Sequence, residues 1–169
     1  GYVWIEYIEI GDLVWTHKSR YRKVTEIHRR KHNGNLIEIS YGGYNRLAMT
    51  PEHPIYVWHK GWIEAKKLKY RDRIKLGKTK KGRIDTIEKV YFEGLVYNLS
   101  VEDDESYKAG GVIVHNCTWI PITQIEVDDL KAQGKGIEVS TKDDFPPDFP
   151  DAGFKSFSER NLTEKEQFF

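Results

Sequence analysis

Hydrophobic positions through the first 116 residues fall in short alternating runs separated by turn residues. The pattern predicts strands rather than helices. Tyr2 to Ile5, with Tyr7 and Ile8, come first, and Gly11-Asp12 marks a turn before Leu13-Val14-Trp15-Thr16. A strand is expected over Tyr21 to His28, another over Leu36 to Tyr41, and Asn33-Gly34 between them carries the usual signal of a hairpin turn. Gly42-Gly43 predicts a second turn, followed by Leu47-Ala48-Met49 and, beyond Thr50-Pro51-Glu52-His53, the strand Ile55 to Trp58. Trp62 to Leu68 has the spacing of one short helix. Strands resume at Ile84 to Val90, Leu95 to Val101 and Val112 to Val114, the last entered through Gly110-Gly111. Past this point the pattern weakens: Ile125, Val127 and Leu130 permit one or two helical turns, and after Gly136 the chain turns polar and rich in proline and aspartate, unable to build a core alone. The expectation is an all-β domain over residues 1–116 and a short, mostly irregular segment over 117–169.

Charge sharpens that division. The net charge of +1 conceals 21 Lys+Arg against 15 Asp+Glu in residues 1–116, and 6 against 11 in residues 117–169. All six histidines precede Cys117, which is the single cysteine. One thiol excludes an internal disulfide and a multi-thiolate zinc site. No apolar run approaches the ~20 residues of a membrane span, and the N-terminus lacks a secretory pattern, so a cytoplasmic location away from membranes is expected. The dense Lys/Arg stretch at 66–83 reads as a solvated loop or edge. A basic β module that binds nucleic acid through this loop is the competing reading, to be recognised by salt-dependent binding that survives Asn116→Ala.

The composition break coincides with a reactive tripeptide, His115-Asn116-Cys117. An asparagine carboxamide can attack its own backbone carbonyl, close a succinimide and expel the amine of the next residue without water. The step is limited by geometry and by proton transfer. His115 is the candidate proton partner, since an ordinary imidazole titrates near ~6.5. Cys117 places a nucleophilic thiol directly after the cut.

With these residues in place, the chain resembles the Hint family, which comprises inteins and Hedgehog-type autoprocessing domains, and the likeness to inteins is close. Val96-Tyr97-Asn98-Leu99-Ser100-Val101, the acidic turn Glu102 to Glu105, Gly110-Gly111 and Val112-Ile113-Val114-His115-Asn116-Cys117 are similar to the family's C-terminal motif. Thr50-Pro51-Glu52-His53 resembles its Thr-x-x-His motif, and Ile10 to Val14 with Tyr21 to Val24 its early β region.

The resemblance implies a horseshoe-like β fold and a single-turnover, cofactor-free, metal-free reaction on the chain's own flanks. A monomer is expected, with no requirement for nucleic acid. It implies Asn116 as the cyclising residue, His115 as its proton partner, Cys117 as the acceptor nucleophile, and Thr50 with His53 serving an N-terminal junction. Asn98 stands where an acidic residue is frequent, and Glu105 where a histidine is frequent, although a carboxylate at 105 still accepts a proton. No residue ahead of Tyr2 matches the first nucleophile block, so the expectation is a chain lacking that block and followed from Cys117 by the start of a C-extein. Only 43 residues separate His53 from Tyr97, too few for an inserted endonuclease domain, which implies a mini-intein. A Hint domain that cleaves without ligating, as in bacterial intein-like elements, is the near alternative to full splicing.

Overall fold

The computed structural model describes residues 1–116, 119–121 and 123–128. All of them belong to the unit that spans Gly1–Val139. Among the described residues the elements are eleven strands and two single 3-10 turns. In chain order the strands are β1 (Tyr2–Trp4), β2 (Leu13–Trp15), β3 (Tyr21–Tyr41), β4 (Asn45–Met49), β5 (Pro54–Val57) and β6 (Gly61–Glu64). They continue with β7 (Arg73–Lys75), β8 (Lys81–Val101), β9 (Ser106–Ala109), β10 (Val112–His115) and β11 (Gln124–Glu126). Every pairing is antiparallel. The path runs β1-β11-β9-β10-β5-β7-β8-β3-β2, with β4 attached to β3 and β6 to β5. The sheet is an open, horseshoe-like curve, as the family resemblance implied.

Its spine is the pair β3 and β8, 21 residues each, matched from Val24↔Val101 to Tyr41↔Ile84. Register shifts between Val24 and Glu26 and between Ser40 and Tyr41 let so long a ribbon bend. This corrects two expectations from sequence. Asn33-Gly34 is no hairpin turn; both residues lie inside β3, opposite Glu93 and Phe92, and Tyr91 donates its hydroxyl to Asn33 Oδ1 at 2.6 Å. A partner strand distant in sequence supplies the backbone hydrogen bonds that a local turn would otherwise have to provide. For the same reason Ile84–Val90 and Leu95–Val101 are one strand.

Trp62 to Leu68 is likewise not a helix. β6 folds back on β5 from Pro54↔Glu64 to Val57↔Gly61, and only Ala65–Lys67 forms a 3-10 turn. Left-handed φ values at His59 (63°) and Gly61 (77°) make the reversal. The helical turns expected over Ile125 to Gln133 give way to β11 where the chain is described, through Asp128; the rest lies outside the described residues. The 66–83 stretch carries exposed Lys and Arg side chains, as read from sequence, yet Ile74 in its middle is fully buried and pairs with Val57 and Gly82.

Alternation explains which face each strand buries. β5 puts Ile55 and Val57 inside, and β8 begins with Gly82 and Ile84 buried between exposed lysine and arginine. β10 breaks the alternation because it runs between β9 and β5: Val112, Ile113 and Val114 are all fully buried. No helix among the described residues is long and apolar enough to cross a membrane.

Candidate functional site

β10 is delivered by the turn Gly110-Gly111, whose φ values of 55° and 88° suit glycine and strain other residues. Tyr41 reaches across the sheet to donate its hydroxyl to the Gly110 carbonyl. From there the strand runs through the core and surfaces at His115, paired with Ser106. Asn116 follows immediately. Its backbone N–H donates to the Glu105 carbonyl at 2.9 Å and its Nδ2 to the Val101 carbonyl at 3.4 Å. Its Oδ1 is buried without a hydrogen-bond partner among the described residues. Asn116 is therefore held by the end of β8 and the turn that follows it.

That turn is itself anchored. Asp103 (φ 59°) and Glu105 (φ 48°) are left-handed without being glycine, a conformation that needs outside support. Asp104 provides it, with its side chain fully buried: it accepts from Thr16 Oγ1 at 2.7 Å and from Arg20 Nε and Nη2 at 2.8 and 2.6 Å, and Lys18 Nζ lies 3.1 Å away. The Arg20 hydrogen bonds, opposed by burial and assisted by Thr16 and Lys18, hold the Asp104 carboxyl well below the usual carboxylate range.

The imidazoles gather around Trp62. His115 meets its ring edge-on at 4.9 Å, and His17 does so at 5.6 Å. His17 Nδ1 also shares a hydrogen bond with Ser106 Oγ at 2.7 Å, and the His17 backbone N–H donates to the same oxygen at 3.1 Å. Burial lowers the pKa of His115, with the Glu105 charge pulling it back upward. Burial likewise lowers that of His17, against the pull of Asp104. His53 is completely buried and sits well below the ordinary imidazole value, first from burial and then from the charge of His115. Three neutral imidazoles are thus the resting state at neutral pH, each able to take up a proton as charge develops nearby.

Thr50 and His53 close one turn, with His53 N–H donating to the Thr50 carbonyl at 3.0 Å. Ala65 N–H to the His53 carbonyl (2.7 Å) and Lys66 N–H to the Pro51 carbonyl (2.9 Å) clamp that turn onto the end of β6. Thr50 N–H also donates to the Trp119 carbonyl at 3.0 Å, so the motif touches chain on the far side of Cys117. Asn98 is buried on β8 opposite His28, its Oδ1 without a partner among the described residues, and its neighbour Tyr97 pairs with Ile120. Cys117 lies outside the described residues. The structure thus ties Asn116 to Glu105 and Thr50 to His53 by backbone hydrogen bonds, and Asn98 lies apart from them on β8, next to the residue that pairs with Ile120.

Sequence reading missed His17, Trp62, Asp104 and Ser106. Asp104 and Ser106 flank the singled-out Glu105, which was the available signal; His17 and Trp62 belong to no recognisable spacing. Among the described residues no group of three or more His, Cys, Asp or Glu is placed to hold a metal ion.

Comparison with known proteins agrees with this geometry. The pretoxin HINT domain profile matches residues 1–117. An uncharacterized protein of Methanocaldococcus jannaschii is 31% identical over 106 residues, covering 57% of this chain and 15% of that protein. A probable translation initiation factor IF-2 of Pyrococcus furiosus is 31% identical over 84 residues, 48% of this chain and 8% of the other. The chain therefore spans only a small part of the length of these relatives. Among solved structures, the bacterial intein-like domain from Clostridium thermocellum has a TM-score of 0.55 at 24% identity, over 69% of this chain and 85% of that one. The gp41-1 intein has 0.58 at 20%, over 66% and 85%. With a profile covering more than half its length, the chain belongs to the pretoxin HINT domain family, and it shares its fold with the solved intein and intein-like domains.

Proposed function

We propose that this chain cuts its own backbone between Asn116 and Cys117 by asparagine cyclisation. Asn116 Nδ2 attacks the carbonyl carbon of Asn116 and gives up one of its two protons to neutral His115, the bond to the Cys117 nitrogen breaks, and the departing amine takes a proton back from His115. The upstream piece keeps a C-terminal succinimide. His115 is the proton donor to the leaving amine, and buried His53 relays or balances charge behind it. Cys117 is the acceptor nucleophile of the complete splicing reaction, in which Thr50 and His53 polarise the N-terminal junction. Asn98 and Glu105 couple the two ends, Glu105 through its carbonyl on Asn116 and its charge on His115. Residues 1–116 form the processing part and residues 117–169 the start of the flanking protein, which is its partner; the unit acts as a monomer and needs neither cofactor nor nucleic acid.

The observation that carries this reading is the hold on Asn116: its backbone fixed by Glu105, its carboxamide nitrogen by Val101, and a half-buried imidazole preceding it. Preorganisation of this kind is what an intramolecular attack by a weak nucleophile requires. The test is intact mass after incubating the full chain near neutral pH with a thiol reductant. A fragment beginning at Cys117 should form, vanish with Asn116→Ala, and appear about 10²- to 10⁴-fold more slowly with His115→Ala, the usual worth of a positioned acid or base. Persistence of the intact wild-type mass, or cleavage unaffected by Asn116→Ala, rules the mechanism out.

A further inference from the structure

The proposed cut divides the chain in sequence, but the sheet does not stop there. β11 lies between β1 and β9, with Tyr2↔Glu126, Val3↔Ile125 and Trp4↔Gln124 on one side and Ile125↔Ala109 on the other. In the strand order β1 has no other neighbour. Among the described residues, β1 is thus joined to its sheet only through residues downstream of the proposed cut.

The attachment is continuous along the described part of that segment. Tyr97 and Ile120 exchange both backbone hydrogen bonds, at 2.7 and 2.9 Å. Ile5 N–H donates to the Thr123 carbonyl at 2.9 Å and Gly110 N–H to the Gln124 carbonyl at 2.8 Å. Val127 exchanges hydrogen bonds with Gly1, 3.0 Å each way, and Asp128 N–H donates to the Leu13 carbonyl at 2.9 Å. Ile120 and Ile125 are completely buried and Val127 is 2% exposed. Arg30 lies over the Trp119 ring at 4.4 Å. Glu126 Oε2 meets Lys108 Nζ at 2.5 Å and accepts from the Tyr2 hydroxyl at 3.2 Å. Removing the segment would bare buried apolar side chains and leave the edges of β1 and β9 unpaired.

We propose that β11, with residues 119–121, 123, 127 and 128, remains seated in the domain after the Asn116–Cys117 bond is broken, so that cleavage yields a two-piece complex rather than a free downstream protein. The surface formed by β1, β9 and the Tyr97 edge of β8 is a docking site whose occupant is this segment. Cutting and release are then separate events, and release requires β11 to be stripped from between two strands. This inference rests on the cleavage reading for its biological occasion, but the docking surface is tested independently of it.

The experiment nicks the full chain in two ways: by its own reaction, and, in an Asn116→Ala background, by a site-specific protease acting on a recognition sequence inserted between residues 116 and 117. Intact mass reports cutting; native mass and gel filtration report association. Both nicked forms should elute as the 19.8 kDa uncut chain does and separate only in denaturant. Glu126→Lys should raise the dissociation constant about tenfold, the worth of one charge-assisted hydrogen bond. Adding Lys108→Glu should restore it, which a merely misfolded variant would not do. Prompt separation of the protease-nicked pieces in native buffer overturns the proposal. Co-elution of those pieces, in a wild-type chain that never cuts itself, supports the docking and sinks only the cleavage reading.

Discussion

His53 makes the folded state sensitive to mild acid, by an amount that follows from its burial. It is completely enclosed, and a proton on it would also be repelled by one on His115, so its folded pKa lies well below the ordinary value near ~6.5. Below that value the unfolded chain binds a proton that the folded chain does not, and stability falls as pH falls, by about 1.4 kcal/mol per pH unit until the folded group itself titrates. Each pH unit below ~6.5 over which the folded imidazole stays neutral thus removes about 1.4 kcal/mol, a sizeable share of the roughly 5–15 kcal/mol by which domains are stable.

His17 and His115 are shifted in the same direction by partial burial and add to the loss, moderated by Asp104 and Glu105 respectively. Asp104 acts in a different window: its folded pKa is depressed, so its contribution is present above the ordinary carboxylate value and is lost only in stronger acid. The assay is urea unfolding of the Asn116→Ala chain, followed by tryptophan fluorescence at several pH values across the range, beside the same chain carrying His53→Gln. The glutamine variant starts less stable, but its pH slope should be shallower by about 1.4 kcal/mol per unit below ~6.5. A flat wild-type profile, or an equal slope in both proteins, refutes the reasoning.

Asp104→Asn keeps the shape of the turn anchor but removes its charge. Because that turn fixes Asn116, the rate of C-terminal cleavage by mass should fall about tenfold, the loss of roughly 1.4 kcal/mol of charge-assisted bonding. Unchanged kinetics would show that the turn does not position the asparagine. Gly110→Ala forces a Cβ into a left-handed residue, 3.2 Å from Thr123 Oγ1 and 3.3 Å from Leu47 Cδ1. The unfolding free energy should drop by about 1–3 kcal/mol, and a neutral result in denaturant titration would mean that the hairpin adopts another turn. Ile113→Ala empties a fully buried site in the central strand and should cost about 2–5 kcal/mol in the same titration. A loss below ~1 kcal/mol would contradict the packing described for β10.

Much of the fold was legible in the sequence because it is local. Gly11-Asp12, Gly42-Gly43 and Gly110-Gly111 turn where expected, and Val112 to Val114 reads as a strand ending at His115-Asn116 because short-range chemistry fixes turn and strand alike. Asn33-Gly34 failed for the opposite reason: its preference for a turn is worth little against continuous pairing with Glu93 and Phe92, about 60 residues away, which no local window contains. His115, Asn116 and Glu105 could be named from one motif, whereas His17 and Trp62 come to the site from separate hairpins by way of sheet curvature. The sequence by itself determined an all-β domain, a His-Asn-Cys tripeptide at its end and a change of composition at Cys117, all properties of residues near one another along the backbone. Tertiary structure alone decided that a sheet built in one piece crosses that point, because β1 and β9 each leave an edge of unmet hydrogen bonds that β11, from beyond the tripeptide, is shaped to satisfy.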